Sequence, residues 1–124
     1  MEKIYTNKAP DAIGPYSQAV VSGGLIYTSG QIAIVPASGN VEASDIEGQT
    51  HQVMKHLGEV LKEAGGSYET IIKTTCFLAD MNDFATFNEI YAQYITGKPA
   101  RSCVAVKTLP KNVLVEVEVI AEKN

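Results

Sequence analysis

The chain has 124 residues, 45% hydrophobic and 19% charged, with a formal net charge of −4 at pH 7. This describes one domain spanning residues 1–124, large enough for a real core. An acidic balance without any basic run speaks against nucleic acid as a main partner. No apolar run approaches the roughly 18–20 residues of a membrane span, and the first ten residues lack the apolar stretch of a secretory signal. No membrane association is therefore expected. Cys76 and Cys103 show neither C-x-x-C nor metal-ligand spacing, so free thiols in a cytoplasmic protein are the expectation.

Residues 3–6 suit a short first strand, and 7–15 a loop, because Pro10, Gly14 and Pro15 deny it regular structure. Two apolar runs, 17–21 and 25–29, flank Ser22-Gly23-Gly24 in a hairpin pattern. The apolar run continues through 31–35, and 36–40 make a surface loop. Ser44 or Asp45 begins a helix in which Ile46, Val53, Met54, Leu57, Val60, Leu61 and Ala64 recur near the 3.6-residue period. Gly65-Gly66 stops it. His51 and His56 stand about 140° apart on that helix, which denies them a shared metal and leaves them as solvated side chains. No metal site is expected.

Residues 71–79 are β-branched and suit a central strand. Asp80 or Asn82 caps a second helix whose inward stripe is Phe84, Phe87, Ile90, Tyr91 and Tyr94, with Asn88 at the edge of that stripe. Residues 96–99 break the helix. Two final strands, 101–106 and 114–121, are joined through Leu109-Pro110-Lys111-Asn112. In the last, Val115, Val117, Val119 and Ala121 fall on one face, and Leu114, Glu116, Glu118 and Ile120 on the other.

The order ββ(β)αβαββ implies an α+β fold: one mixed sheet with both helices on one face. Strand 71–79 is apolar on both faces, with Ile72, Cys76 and Leu78 opposed to Ile71, Phe77 and Ala79. The uncovered sheet face would then want a partner, which makes a homo-oligomer the expectation.

Nine of the ten basic residues are lysine, so Arg101 is the only arginine. Arginine differs from lysine in a planar fork that grips a carboxylate or phosphate with two parallel hydrogen bonds. Arg101 follows Pro99 and precedes Cys103-Val104-Ala105-Val106, which read as a buried strand; a guanidinium entering it needs an anion to face. Arg101, Cys103 and Ala105 share one strand face. If the last two strands pair, Arg101 and Glu116 would lie close together at the sheet edge.

Three segments together resemble the reactive intermediate deaminase (RidA, formerly YjgF) family. They are Gly14-Pro15-Tyr16-Ser17-Gln18-Ala19, Thr28-Ser29-Gly30-Gln31, and Pro99-Ala100-Arg101-Ser102-Cys103-Val104 followed by Val115-Glu116-Val117-Glu118. Lys73-Thr74-Thr75 and Asn82-Asp83-Phe84 also fit, and the similarity runs from about Ala9 to Ala121. The resemblance implies a homotrimer of chorismate-mutase-like (RidA-like) protomers with a site in each cleft between subunits. It implies hydrolysis of reactive 2-imino acids or their enamine tautomers, 2-iminopropanoate, 2-iminobutanoate and 2-aminoacrylate among them, to 2-keto acids and ammonia. That is a metabolite damage-control role and requires no cofactor.

Carried over by position, Arg101 would clamp the substrate carboxylate and Glu116 would hold the attacking water and relay a proton. Cys103 would line the site through its thiol or backbone. Tyr16 and Ser29 would shape the pocket, Gly30 would allow close backbone approach, and Asn88 would lie near the cleft. A protonated imine carbon is already electrophilic, so neither a metal nor a covalent nucleophile is needed, and one proton-shuttling carboxylate is worth typically ~10²–10⁴-fold. The chain departs from the family in a short connection before Pro99, in Val117, where a larger aliphatic is common, and in Lys98, where many relatives carry an aromatic or proline. Lys98 is expected to add positive field at the cleft and favour small anionic substrates.

Two other readings compete. One is a non-catalytic regulatory module of the same fold that binds a small carboxylate; the presence of both Arg101 and Glu116 favours the enzyme. The other follows relatives described as ribonuclease-type translation inhibitors. Net acidity and the lack of a basic groove or a general-base histidine motif disfavour it.

Overall fold

The computed structural model describes residues 1–124. Its main sheet has six strands: β1 (Glu2–Ile4), β2 (Ala19–Ser22), β3 (Leu25–Thr28), β6 (Ile71–Leu78), β7 (Ala100–Ala105) and β8 (Val115–Glu122). They run in the order β1-β2-β3-β8-β6-β7. All neighbours are antiparallel except β6 and β7. The α+β reading with two helices on one face stands.

The first strand begins one residue earlier and ends two earlier than the sequence suggests, because Thr6 turns inward and gives both backbone groups to the buried Gln18 side chain. Residues 31–35 do not extend the hairpin strand. Gln31 makes an isolated bridge to Val117. Beyond it, β4 (Ile34–Val35) pairs with β5 (Asn40–Val41) as a separate two-stranded ribbon.

Helix α1 (Ile46–Ala64) is capped by Asp45, whose carboxylate accepts from the Gly48 N–H at 2.8 Å, and ends at Gly65 with φ 93°. Both are ordinary solutions for unpaired helix-end groups. Its buried stripe includes Val53, Met54, Leu57, Val60 and Leu61, as the periodicity predicts. His56 corrects the expectation of solvated histidines. It lies on that stripe at 1% exposure, with Nε2 2.7 Å from the Ile34 carbonyl oxygen, and burial lowers its pKa. His51 is half-buried and meets the Tyr94 hydroxyl through Nδ1 at 2.7 Å.

Asp80 caps a single 3₁₀ turn, accepting from Asn82 N–H, and α2 (Phe84–Tyr94) follows directly. A parallel strand pair needs a crossover connection; α2 is that crossover between β6 and β7. Phe87, Ile90 and Tyr91 bury its inner side.

Two expectations about the sheet change. The register of β6 on β8 slips between Ile71 and Lys73. The resulting bulge turns Ile71 into the core and Ile72 outward at 40% exposure, the reverse of a regular alternation. Strand β7 is an exposed edge rather than a buried strand, with only Cys103 half-buried. It has β6 on one side and no strand on the other. The Val-Glu-Val-Glu alternation of β8 holds: Val115, Val117, Val119 and Ala121 are buried beneath the helices, and Glu116, Glu118 and Ile120 face the other side. That outer face also carries the exposed Tyr27, Ile72 and Val104.

Candidate functional site

Because β6 and β7 are parallel and α2 crosses between them, residues of β7 in register with the helix-facing residues of β6 point at α2. Thr74 pairs with Arg101 and Cys76 with Cys103. Thr74 and Cys76 are fully buried beneath the helices. Arg101 therefore reaches onto α2: Nη1 donates to Asn88 Oδ1 at 2.7 Å, and the guanidinium carbon lies 4.9 Å from the Tyr91 ring centroid and 5.5 Å from that of Phe84. Stacking on aromatic faces fixes the plane of the fork. Tyr91 is itself held by Thr74, hydroxyl to hydroxyl at 2.9 Å.

Arg101 meets no carboxylate; the chain's one ion pair joins Lys123 to Glu2. It opens onto a hollow of about 460 Å³ lined by Asn88, Tyr91, Thr96, Lys98 and Pro99 among others. Cys103 lies two residues on along the same strand face. Burial pushes its thiol pKa up against the opposing pull of Arg101, so the thiol stays protonated near neutrality. Cys76, beside it in register, is buried and pushed up to about 12 by burial. Two cysteines 27 positions apart in sequence are thus strand neighbours, and both are free.

Glu116 stands in a different place. The β3–β8 ladder is interrupted at Thr28, whose Oγ1 accepts from Val119 N–H at 2.9 Å, and pairing resumes between Gln31 and Val117. Ser29 and Gly30 loop between these points, and Gly30 lies so close to the Glu116 side chain that a Cβ there would have to displace its carboxylate. A second hollow of about 390 Å³ brings together Tyr16, Gln18, Gly30, Gln31, Lys111 and Glu116. Burial raises the Glu116 pKa, and the Glu118 charge on the same face raises it further.

Tyr16 is 53% exposed at the rim and accepts from the Ile13 N–H through its hydroxyl. Ser29 borders an adjoining hollow with Tyr16, and its hydroxyl donates to the Ser17 carbonyl. Its visible task is to tie two loops together.

Within one chain, the expected Arg101–Glu116 proximity is not formed. Strands β7 and β8 do not pair with each other; β6 lies between them, with Thr74 opposite Arg101 and Phe77 opposite Glu116. Two strand spacings and three residues of rise separate the two backbones by about 14 Å. The two side chains also leave opposite faces of the sheet. The structure gathers Arg101, Asn88 and Cys103 on one surface and Tyr16, Gly30 and Glu116 on another.

Two residues that the sequence reading gave no role acquire one in the structure. Gln18 is 2% exposed and organises the 6–10 loop beside Glu116: its Nε2 donates to the carbonyls of Thr6, Ala9 and Pro10, and its Oε1 accepts from Thr6 N–H. Lys111 lines the Glu116 hollow in a left-handed conformation, φ 55°, followed by Asn112 at φ 53°. The sequence marked the first as an amide within the Gly14–Ala19 segment of the resemblance, without a role, and the second only by the Pro110-Lys111-Asn112 turn.

Residues 6–123 match the family model described as Endoribonuclease L-PSP. The chain is 50% identical over 119 residues to the mouse protein named 2-iminobutanoate/2-iminopropanoate deaminase, covering 95% of this chain and 88% of that one. It is 51% identical over 123 residues, 98% of each, to a Lactococcus lactis protein whose name proposes it as a regulator, AldR. Among solved structures, Escherichia coli TdcF with bound serine superposes with TM-score 0.95 at 41% identity, covering all of both chains. A Thermotoga maritima protein superposes at TM-score 0.97 with 44% identity, over 100% of this chain and 98% of that one. With fold, motifs and these likenesses agreeing along almost its whole length, the chain belongs to the reactive intermediate deaminase family.

Proposed function

We propose that the protein hydrolyses small 2-imino acids, 2-iminopropanoate and 2-iminobutanoate, to 2-oxo acids and ammonia. The sites form between copies of the chain, each joining the Arg101 surface of one subunit to the Glu116 surface of the next in a homotrimer. The observation that carries this reading is the Arg101 guanidinium, stacked and oriented yet held only by the neutral Asn88. One hydrogen-bonding edge of the fork is left for a carboxylate. The exposed apolar residues of the outer sheet face, Tyr27, Ile72 and Val104, supply a reason to associate.

The chemistry follows from the groups. A substrate carboxylate on Arg101 fixes the adjacent imine carbon in position and orientation. Glu116 as carboxylate takes a proton from water as its oxygen bonds to that carbon, and passes the proton to the nitrogen. The C–N bond then breaks, ammonia leaves and the hydroxyl proton is released as the carbonyl forms. Cys103 serves as a wall and not as a nucleophile, because its thiol is protonated near neutrality. The free thiols fit a cytoplasmic setting.

The test generates 2-iminobutanoate in situ with a dehydratase and follows oxo-acid release. The protein should accelerate release, Arg101→Ala should abolish the acceleration, and Arg101→Lys should recover little, since it keeps the charge and loses the fork. Full activity in the lysine variant would reduce the clamp to a point charge. The name of the Lactococcus lactis relative favours a second reading, a regulator that binds a small carboxylate. Saturable binding of 2-oxobutanoate with no effect on imine hydrolysis would select it.

A further inference from the structure

The Arg101 hollow holds a second cation. Lys98 lines it together with Thr96, Asn88 and Tyr91, and no aspartate or glutamate does. In a chain with 14 acidic against 10 basic residues, a cavity with two cations and no carboxylate is a marked local inversion of charge. Neither cation is ion-paired within the chain, whose one salt bridge lies elsewhere.

The placement of Lys98 is also specific. Its φ is 54°, a left-handed conformation uncommon for a side chain of this size, between Gly97 and the rigid Pro99. The short 96–99 connection thus fixes where the lysine stem begins. Three residues of extended chain separate its Cα from that of Arg101 by at most about 10 Å. Both stems therefore start close enough for their head groups to reach the two ends of one small diacid. At about 460 Å³ the hollow falls within the usual size of ligand sites.

We propose that Lys98 is a specificity-determining residue that makes the Arg101 hollow prefer acids with a second carboxylate, namely 2-imino dicarboxylic acids of four or five carbons. The α-carboxylate sits on the Arg101 fork and the distal carboxylate meets the Lys98 ammonium. As a statement about imines this rests on the hydrolase reading; as a statement about anion preference it does not.

The experiment therefore has two arms. In the first, 2-oxoglutarate and 2-oxobutanoate are titrated into the protein by calorimetry at low ionic strength. The diacid should bind about fivefold more tightly, the gain expected of one partly exposed ion pair. Lys98→Met, which keeps the stem and removes the charge, should bring the ratio close to one. Lys55→Met, the same charge change on the exposed side of α1, should leave the ratio alone. Size exclusion shows whether Lys98→Met keeps the assembly. Equal affinities in the parent protein, or an unchanged ratio in Lys98→Met, overturns the proposal.

The second arm compares kcat/KM for imines released in situ by an amino-acid oxidase from glutamate and from 2-aminobutyrate. Hydrolysis of both without preference overturns the role of Lys98 and keeps the hydrolase. Diacid-selective binding without hydrolysis supports Lys98 and overturns the hydrolase.

Discussion

Gly30 and Glu116 compete for one space: a Cβ at residue 30 would overlap the Glu116 carboxylate, with Cδ only 2.8 Å away. The glycine is set by that close approach, since its own φ is not in the left-handed range. Gly30→Ala should therefore push the carboxylate aside while the surrounding ladder holds. The expected outcome is a kcat lower by about 10²-fold, the scale of losing a positioned acid–base group. Near-native circular dichroism should accompany it. Unchanged turnover would show that Glu116 does not need its present position.

The proton behaviour of Glu116 can be read in two independent ways. Burial first, and the Glu118 charge second, raise its pKa above the usual carboxylate range. As the base, it must be ionised, so activity should fall as pH drops through that raised value. Glu118→Gln should move this acidic limb to lower pH. For stability the sign is opposite. Between the unfolded and folded pKa values the folded chain holds more protons, so the contribution of this group is lost as pH rises through that window. Glu116→Gln should accordingly raise Tm more at pH 7 than at pH 4, and thermal melts at the two values check it.

Separate placement of Arg101 and Glu116 leads to complementation between two dead variants. Arg101→Ala and Glu116→Gln should each be inactive alone. Unfolded together in equal amounts and reassembled at random, they should recover about a quarter of the parental activity, because one interface in four joins an intact Arg101 surface to an intact Glu116 surface. No recovery in well-formed mixed assemblies would mean that one subunit supplies both groups.

Gln18 carries a structural prediction with a functional edge. Its amide satisfies one N–H and three carbonyls of the 6–10 loop from a buried position. Gln18→Met fills similar volume and strands those groups, at a cost of about 2–4 kcal/mol. Urea denaturation should show that loss, and KM should rise as the 6–10 loop, whose Pro10 borders the Glu116 hollow, loosens.

The sequence carried much of this fold because its signals were local. The α1 periodicity, Asp45 and Gly65 each act within a turn or two, and all three hold. The β8 alternation held because one helix-covered face demands it. What failed was non-local. That β6 inserts between β7 and β8 depends on a parallel crossover, which no residue in either strand announces. The Ile71/Lys73 bulge inverts a face with no glycine or proline to mark it. His56 is polar in type yet buried, because the Ile34 carbonyl happens to stand where its ring nitrogen arrives. At the site, Arg101 stood out by rarity. Gln18 and Lys111 acquire meaning only once the loops are folded around them.

The 96–99 connection borders the Arg101 surface and lies on the opposite side of the sheet from Glu116. In the proposed assembly, recognition and water activation therefore belong to different subunits. Changes to that connection can retune which acid is held without disturbing the carboxylate that drives hydrolysis. Two variants assembled together would yield hybrid clefts, each taking its selectivity from one parent and its speed from the other.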